Sequence, residues 1–193
     1  METKRQGKIF VISAPSGCGK STIINTILDK GETPLEFSVS ATNRAPREGE
    51  EDGIHYHFMS TPAFREAIAD GEFIEWEEVY PGRYYGTLKK EVQRAIDNGK
   101  DIILDIDVKG AMNVKKLFGD RALTLFILPP SIDELKNRLI ARGTDAPEII
   151  DERVGKARYE ISFADCLDQR IVNDNLDEAV AATEKLIHDF LNS

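Results

Sequence analysis

Cysteine is nearly absent: Cys18 and Cys166 are the only two among 193 residues, far apart and without the paired spacing of a metal site. That argues against a disulfide-stapled scaffold and a structural zinc site, and reads as two free thiols. Long apolar runs are missing as well. The longest, such as Ile9 to Ile12 and Leu125 to Leu128, fall far short of the ~20 residues a bilayer span requires, so no membrane segment is expected. The opening METKRQGK carries charge but lacks the apolar stretch and small-residue cleavage site of a secretory signal, so a cytoplasmic location is the expectation. Positive charge is in deficit: 25 Lys and Arg against 34 Asp and Glu leave a net charge of -9. Such a chain repels nucleic-acid backbones, although a local arginine cluster can still hold one small anion. There is no internal repeat and no low-complexity segment. What is present, 41% hydrophobic and 31% charged residues, suffices for one sizeable core with one or two small appended subdomains.

The pattern predicts an α/β core. Lys8 to Ser13 reads as a buried strand, Ala14 to Gly19 as a loop, and Lys20 to Leu28 as a helix with Ile23, Ile24, Ile27 and Leu28 on one face. Asp101 to Ile106 and Ala122 to Leu128 read as parallel strands buried on both faces, with a helix over Leu88 to Asn98 before the first. From residue 37 to 87 the texture changes to short alternating pieces (FSVSAT, HYHFM, FIEWEEV) with a helix near Pro62 to Asp70, which reads as an inserted mainly β subdomain. Phe73 and Trp76 are expected to pack it. Two charged helices follow, Ser131 to Arg142 and Pro147 to about Ser162, with Gly143 as the stop between them; 131–162 reads as a mobile lid. Arg170 to Asn173 returns as a strand, and Leu176 to Leu191 closes the core with Val180, Leu186, Ile187 and Phe190 inward. The expected core is therefore 1–36, 88–130 and 163–193.

The stretch SAPSGCGKST, residues 13 to 22, carries the first chemistry. Gly17 and Gly19 let successive backbone N–H groups turn toward an anion, and the helix beginning at Lys20 adds its positive dipole end. Lys20 can reach terminal phosphates, and Ser21 can offer its hydroxyl to Mg2+. A ligand-free Gly-rich turn is the alternative, but GKST between a strand and a helix favours a nucleoside triphosphate. Ala14 stands where the G-x-x-x-x-G-K-S/T pattern opens with glycine. It is compatible with the loop provided its φ is negative. Cys18, at an electropositive helix start, is expected to carry an unusually acidic, oxidation-prone thiol.

A phosphate loop does not by itself separate a kinase from a GTPase, a motor or a sulfotransferase-like protein. ILDID, residues 103 to 107, ends a strand with Asp105 and Asp107 two positions apart, expected on one side of the strand, where they can hold Mg2+ through water or touch a substrate; a solvated turn is the alternative. TNRAPREGEEDGIHYHF, residues 42 to 58, gathers Arg44 and Arg47 with Tyr56 on an otherwise acidic segment. Two guanidinium forks and a phenol suit a phosphate dianion, with a solvated loop as the alternative. Glu75 in FIEW can accept from the N1–H and exocyclic amine of guanine, whereas adenine leaves that carboxylate poorly paired. Arg138 and Arg142 share a helix face that can look into the cleft; pairing with Glu134 or Asp145 is the competing arrangement. His55 and His57 can share a strand face around Tyr56, but lack a third metal ligand.

SAPSGCGKST, the T-x-R-x-x-R-x-x-E-x-x-G-x-x-Y-x-F run, FIEW, YYGT, LDID and IVND occur in the order seen in guanylate kinases, which the chain resembles over nearly its whole length. The resemblance implies a P-loop core, a GMP-binding subdomain and a lid. It implies that ATP is cradled by Ala14, Pro15, Ser16, Gly17, Cys18, Gly19, Lys20, Ser21 and Thr22, with Asn173 beside the adenine and Mg2+ on Ser21, with Asp105 contributing through water. It implies that Arg44, Arg47, Tyr56 and Tyr85 hold the GMP phosphate, that Ser40, Glu75 and Thr87 address the base, and that Asp105 and Asp107 line the site. Lys20 and Arg44, with Arg138, Arg142 and Arg153 as lid arginines, would act on the transferring phosphoryl group. Asn43, where the family usually has Ser or Thr, and Ala14 are the two departures, and neither removes a charged group. A non-catalytic phosphopeptide-binding module and a ribose-phosphate kinase of the same fold are the competing functions. The oligomeric state is left open.

Overall fold

Apolar runs buried on both faces set the architecture of this computed structural model, which describes residues 5–193. Met1 to Lys4, assigned to the core from sequence, lie outside the described residues. In β1 (Ile9–Ser13), Phe10 and Ile12 enter one core cluster while Ile9 and Val11 enter another. β7 (Asp101–Asp105) and β8 (Ala122–Leu128) divide the same way, with Ile103, Leu125 and Ile127 on one face and Ile102, Leu104 and Phe126 on the other. A strand apolar on both faces must be covered twice, the signature of a parallel sheet. The sheet runs β2-β7-β1-β8-β9, parallel throughout, with β2 at Leu35–Phe37 and β9 at Gln169–Val172.

Helices α1 (Lys20–Lys30) and α7 (Leu176–Leu191) bury Ile23, Ile24, Ile27, Val180 and Ile187 against one face. The other receives Val92 and Ile96 of α3 (Lys89–Asp97) and Val108, Ala111 and Val114 of α4 (Val108–Phe118). The sequence reading did not foresee α4. Gly110 disguises it, since an interior glycine costs a helix about 1 kcal/mol relative to alanine. The structure supplies the reason for that glycine: a Cβ there would lie 2.9 Å from Cγ of Glu75.

A second sheet, β4-β3-β6-β5, comprises β3 (Ala41–Thr42), β4 (His57–Phe58), β5 (Phe73–Tyr80) and β6 (Arg83–Leu88). The FSVSAT piece is divided between the sheets, its Phe37 pairing with β7 in the core and its Ala41 entering β3. α2 (Thr61–Ala69) caps this sheet, stacking Phe64 on Phe73 at 4.4 Å between ring centroids. Trp76 departs from expectation: the strand alternation that buries Glu75 turns it outward, leaving it 47% exposed with its ring edge-on to Tyr84.

α5 (Ile132–Arg142) and α6 (Pro147–Ile161) form the charged hairpin, joined through Gly143 in the left-handed conformation. Their inward residues Leu135, Leu139, Ile150 and Val154 belong to the same cluster as α1 and β1, so the hairpin is rooted in the core. No helix among the described residues is long and apolar enough to cross a membrane.

Candidate active site

The carboxyl ends of β1 and β7 sit side by side, Ile12 registered with Asp105, which brings the phosphate loop next to the ILDID carboxylates. Ligand sites of open α/β sheets form at these strand ends. A cleft of about 760 Å³ opens there, and its wall includes the loop residues Ala14 to Gly17 and Gly19 to Thr22. Ser40, Tyr56, Glu75, Tyr85, Asp105, Asp107, Arg142 and Arg153 also line it.

Gly17 and Gly19 have φ of 92° and 84°, and no described non-glycine residue has a positive φ, Ala14 included. Alanine at the head of the loop therefore carries no backbone strain. Gly19 is also crowded, because a Cβ would run into the side-chain nitrogen of Asn173, whose amide donates to the Cys18 carbonyl at 2.8 Å. Gly31, at φ 64° with open space around it, isolates the backbone part of such a change. Gly31→Ala should cost about 1 kcal/mol in urea unfolding and Gly19→Ala at least ~2 kcal/mol. Equal costs at the two positions would contradict the assigned packing role of Asn173.

Lys20, first residue of α1, pairs its ammonium with Asp105. Ser21 is exposed to the cleft at the same helix start. Asp107 does not share the strand with Asp105 as the spacing implied. The strand ends at Asp105, and Asp107 caps α4, accepting from the Gly110 N–H at 2.6 Å. It still lines the cleft, so a helix start rather than strand alternation aims it there.

Glu75 is 8% exposed and accepts from the Thr87 hydroxyl at 2.6 Å, the two residues facing each other in the β5–β6 register. Burial pushes its carboxyl up to about 7, while the Thr87 hydrogen bond pulls it down. A carboxyl whose folded pKa lies above its unfolded value stabilises the fold below about 4.5 and loses that contribution as pH rises through about 7. In the ligand-free protein, Glu75→Gln should therefore raise the unfolding temperature at pH 8 relative to the parent, an advantage that disappears by pH 4. An unchanged pH dependence would contradict the burial account.

In the ligand-free protein several other residues expected at the site are arranged differently. Arg44 and Arg47 do not line the cleft. Arg44 is clasped by both oxygens of Glu50 at 2.7 and 2.8 Å, and the same carboxylate takes the Arg47 backbone N–H at 2.7 Å. That clasp holds Glu50 down at about 2. Arg44 lies over the ring of Tyr56, which itself lines the cleft, and its buried Nε has no partner among the described residues. Arg138 likewise does not line the cleft; it donates to Glu134 at 3.0 Å, the competing surface pairing, and to the Asn173 carbonyl at 2.9 Å. Arg142 and Arg153 do reach the cleft, Arg153 donating to Ser16 at 2.6 Å and to Asp145 at 3.2 Å. Cys18 is fully buried, and loss of hydration pushes its thiol up to about 12 against the opposing charge of Arg138. The electropositive helix start predicted an acidic thiol; desolvation wins, and only the backbone of Cys18 faces the loop. His55 accepts from the Glu51 N–H and lines the main cleft, whereas His57 lines a separate hollow beside Ser38 and Arg94, so the two share no face.

Three charged cleft residues escaped the sequence reading: Glu77, Lys156 and Glu160. The signals exist, since Glu77 follows Glu75 at the two-residue strand period, while Lys156 and Glu160 follow Arg153 at helical spacing.

Fold and cleft define the class: a P-loop α/β protein with an inserted small sheet and a helical hairpin beside its phosphate loop. The family model described as guanylate kinase matches residues 6–190. Curated guanylate kinases of Bacteroides fragilis and Porphyromonas gingivalis are each 52% identical, over 96% of this chain and 91% of the first, and over 95% of this chain and 98% of the second. A crystal structure of guanylate kinase from Anaplasma phagocytophilum superposes with a TM-score of 0.76 at 31% identity, over 96% of this chain and 87% of that one. The chain belongs to the guanylate kinase family.

Proposed function

We propose that the protein transfers the γ-phosphoryl group of ATP to GMP, giving ADP and GDP. The observation that carries the substrate assignment is the buried Glu75, held by the Thr87 hydroxyl and lining the same cleft as the phosphate loop. A buried carboxylate with one remaining acceptor oxygen needs a donor-rich partner, and the N1–H and amine edge of guanine is one. Residues 38–87 then form the GMP subdomain, Phe37 belonging to the core sheet, and 131–162 form the lid.

An oxygen of the GMP phosphate attacks the γ-phosphorus in line, and the bond to the β–γ bridging oxygen breaks, leaving ADP. The GMP phosphate is already ionised at neutral pH, so no side chain has to remove a proton, and catalysis reduces to positioning and charge neutralisation. The loop amides and the α1 start hold the ATP phosphates, and Lys20 leaves Asp105 to meet them. Arg142 and Arg153 converge on the transferring group. Tyr56 and Tyr85 hold the acceptor phosphate, with Arg44 reaching it only when Glu50 yields part of its clasp. Ser21 and Asp105 offer the hard oxygen donors that suit Mg2+, an ion that keeps several waters and takes the rest of its shell from phosphates. Bound there, it neutralises charge on the ATP phosphates. Asn173 shapes the loop from beneath and lies at the adenine end. The cytoplasm, with its ATP, is the expected setting.

Incubation with ATP, Mg2+ and GMP followed by anion-exchange separation should give ADP and GDP in equal amounts. ADP and free phosphate without GDP would contradict the proposal, as would mere binding of phosphopeptides. Because guanine pairs with ionised Glu75, whose ligand-free pKa is about 7, KM for GMP should rise about tenfold between pH 8 and pH 6. KM for ATP should move by no more than about twofold, and Glu75→Gln should abolish the difference. A parallel pH response of both constants would contradict the role given to Glu75.

A further inference from the structure

Helix α6 starts after Ala146 without a side-chain cap, and the carboxylate next to that start, Asp145, is spent elsewhere. It accepts from Nη2 of Arg153, on the second turn of the same helix, at 3.2 Å. Nη1 of that guanidinium reaches across to the Ser16 hydroxyl of the phosphate loop at 2.6 Å. Arg153 lines the cleft; Asp145 is mostly buried and does not. Two buried atoms are left over, for neither Nε of Arg153 nor Oδ2 of Asp145 has a hydrogen-bond partner among the described residues. The two orphans are complementary. Nε–H and one Nη2–H lie along a single edge of a guanidinium, as the two oxygens do along a carboxylate, so the one long bond present is half of a side-on pair with two parallel bonds. Leaving a buried charged donor and acceptor unpaired is costly, and completing the pair satisfies both at once.

We propose that Asp145 is a positioning residue for phosphoryl transfer. When the phosphates of ATP fill the loop, Nη1 exchanges Ser16 for a phosphate oxygen, and Nε and Nη2 close on both oxygens of Asp145. The guanidinium is then fixed with its outer edge toward the transferring group. Asp145 touches no substrate and acts through Arg153 alone. This role rests on the transfer of the γ-phosphoryl group to GMP. An arginine free to rotate still adds charge to the cleft but no longer places a donor, so losing Asp145 should appear in kcat and not in KM.

Steady-state kinetics of the full chain with ATP, Mg2+ and GMP, alongside unfolding curves, test it. Asp145→Ala should lower kcat at least about tenfold, with KM for ATP and for GMP within about threefold of the parent. Beside Arg153→Met the same change should move kcat by no more than about twofold, since nothing is left to position. A residue that merely supported the turn would lower kcat alike in both backgrounds. The inference is overturned by a smaller loss of kcat in Asp145→Ala, by either KM moving further, or by the loss persisting beside Arg153→Met. Should Asp145→Ala unfold, Asp145→Asn takes its place in both backgrounds. It keeps one acceptor oxygen for the arginine edge, so a loss of at least about threefold is expected in the parent, and a smaller one overturns the inference. A crystal structure with a non-hydrolysable ATP analogue and GMP reads the geometry without turnover: two bonds from the Nε–Nη2 edge to Asp145 are expected, and Nη1 still on Ser16 overturns it. Turnover of GMP by the parent tests the underlying reaction separately, so failure of either is distinguishable.

Discussion

Lys20→Met is expected to lower turnover of ATP and GMP by about three orders of magnitude while leaving the fold intact. The lysine sits where three effects converge. It opens α1, so the unpaired N–H groups of that helix start already favour an anion beside it. Its ammonium is the cation of the loop itself, and in the ligand-free protein it neutralises Asp105. Methionine removes that cation and leaves the Asp105 carboxylate facing the incoming phosphates, so the loss includes repulsion as well as missing attraction. The stability cost is small because both partners are partly open to solvent, 20% and 24% exposed, where water screens the pair. Turnover within about tenfold of the parent, in a variant with an unchanged unfolding curve, would contradict the role of the loop as a phosphoryl-transfer site.

Glu75→Gln should lower kcat/KM for GMP by roughly a hundredfold or more and leave the weak reaction with AMP nearly unchanged. Thr87 continues to donate to the remaining amide oxygen, so the backbone register survives. What is lost is an anionic acceptor in a dry pocket, and the amide NH2 now meets the guanine N1–H donor to donor. Gly110 admits only this side chain's close approach, its absent Cβ being 3.0 Å from Oε2 of Glu75. Gln occupies the same volume, so a fall in GMP efficiency cannot be ascribed to a cavity. The same variant is expected to be more stable at pH 8, which separates loss of recognition from loss of structure. GMP and AMP falling together would remove Glu75 from base reading.

How much of this was legible in the chain follows from whether its cause is local. The backbone course of the phosphate loop was legible, because Gly17 and Gly19 take the positive φ that their residue type permits and α1 begins at Lys20. The core strands were legible because a strand covered on both faces leaves an unbroken apolar run. Glu75 emerged from the chemistry of a carboxylate and its base. Cys18 was misread because local charge was weighed without burial: packing among residues of α1, α5 and β1 is a property of the tertiary structure. Arg44 was legible as a cation but not as one clasped by Glu50, since RAPREGE encodes the residues and not the turn that brings them together. α4 was hidden by Gly110, whose purpose lies across space in Glu75. Asp107 was assigned to a strand that ends two residues earlier, a one-step error that left its cleft position right and its reason wrong. Glu77 was legible in principle from the two-residue period that returns it to the cleft wall beside Glu75.

The central claim is that one cleft joins a triphosphate to a guanine nucleotide. Its most direct test is a coupled assay of ADP formation by the unmodified protein, with ATP and Mg2+ held constant and GMP, AMP, UMP and dTMP supplied in turn. The account predicts a kcat/KM for GMP at least about a thousandfold above that of each other nucleotide. Comparable values for GMP and AMP, or ADP formation independent of the acceptor, would contradict it.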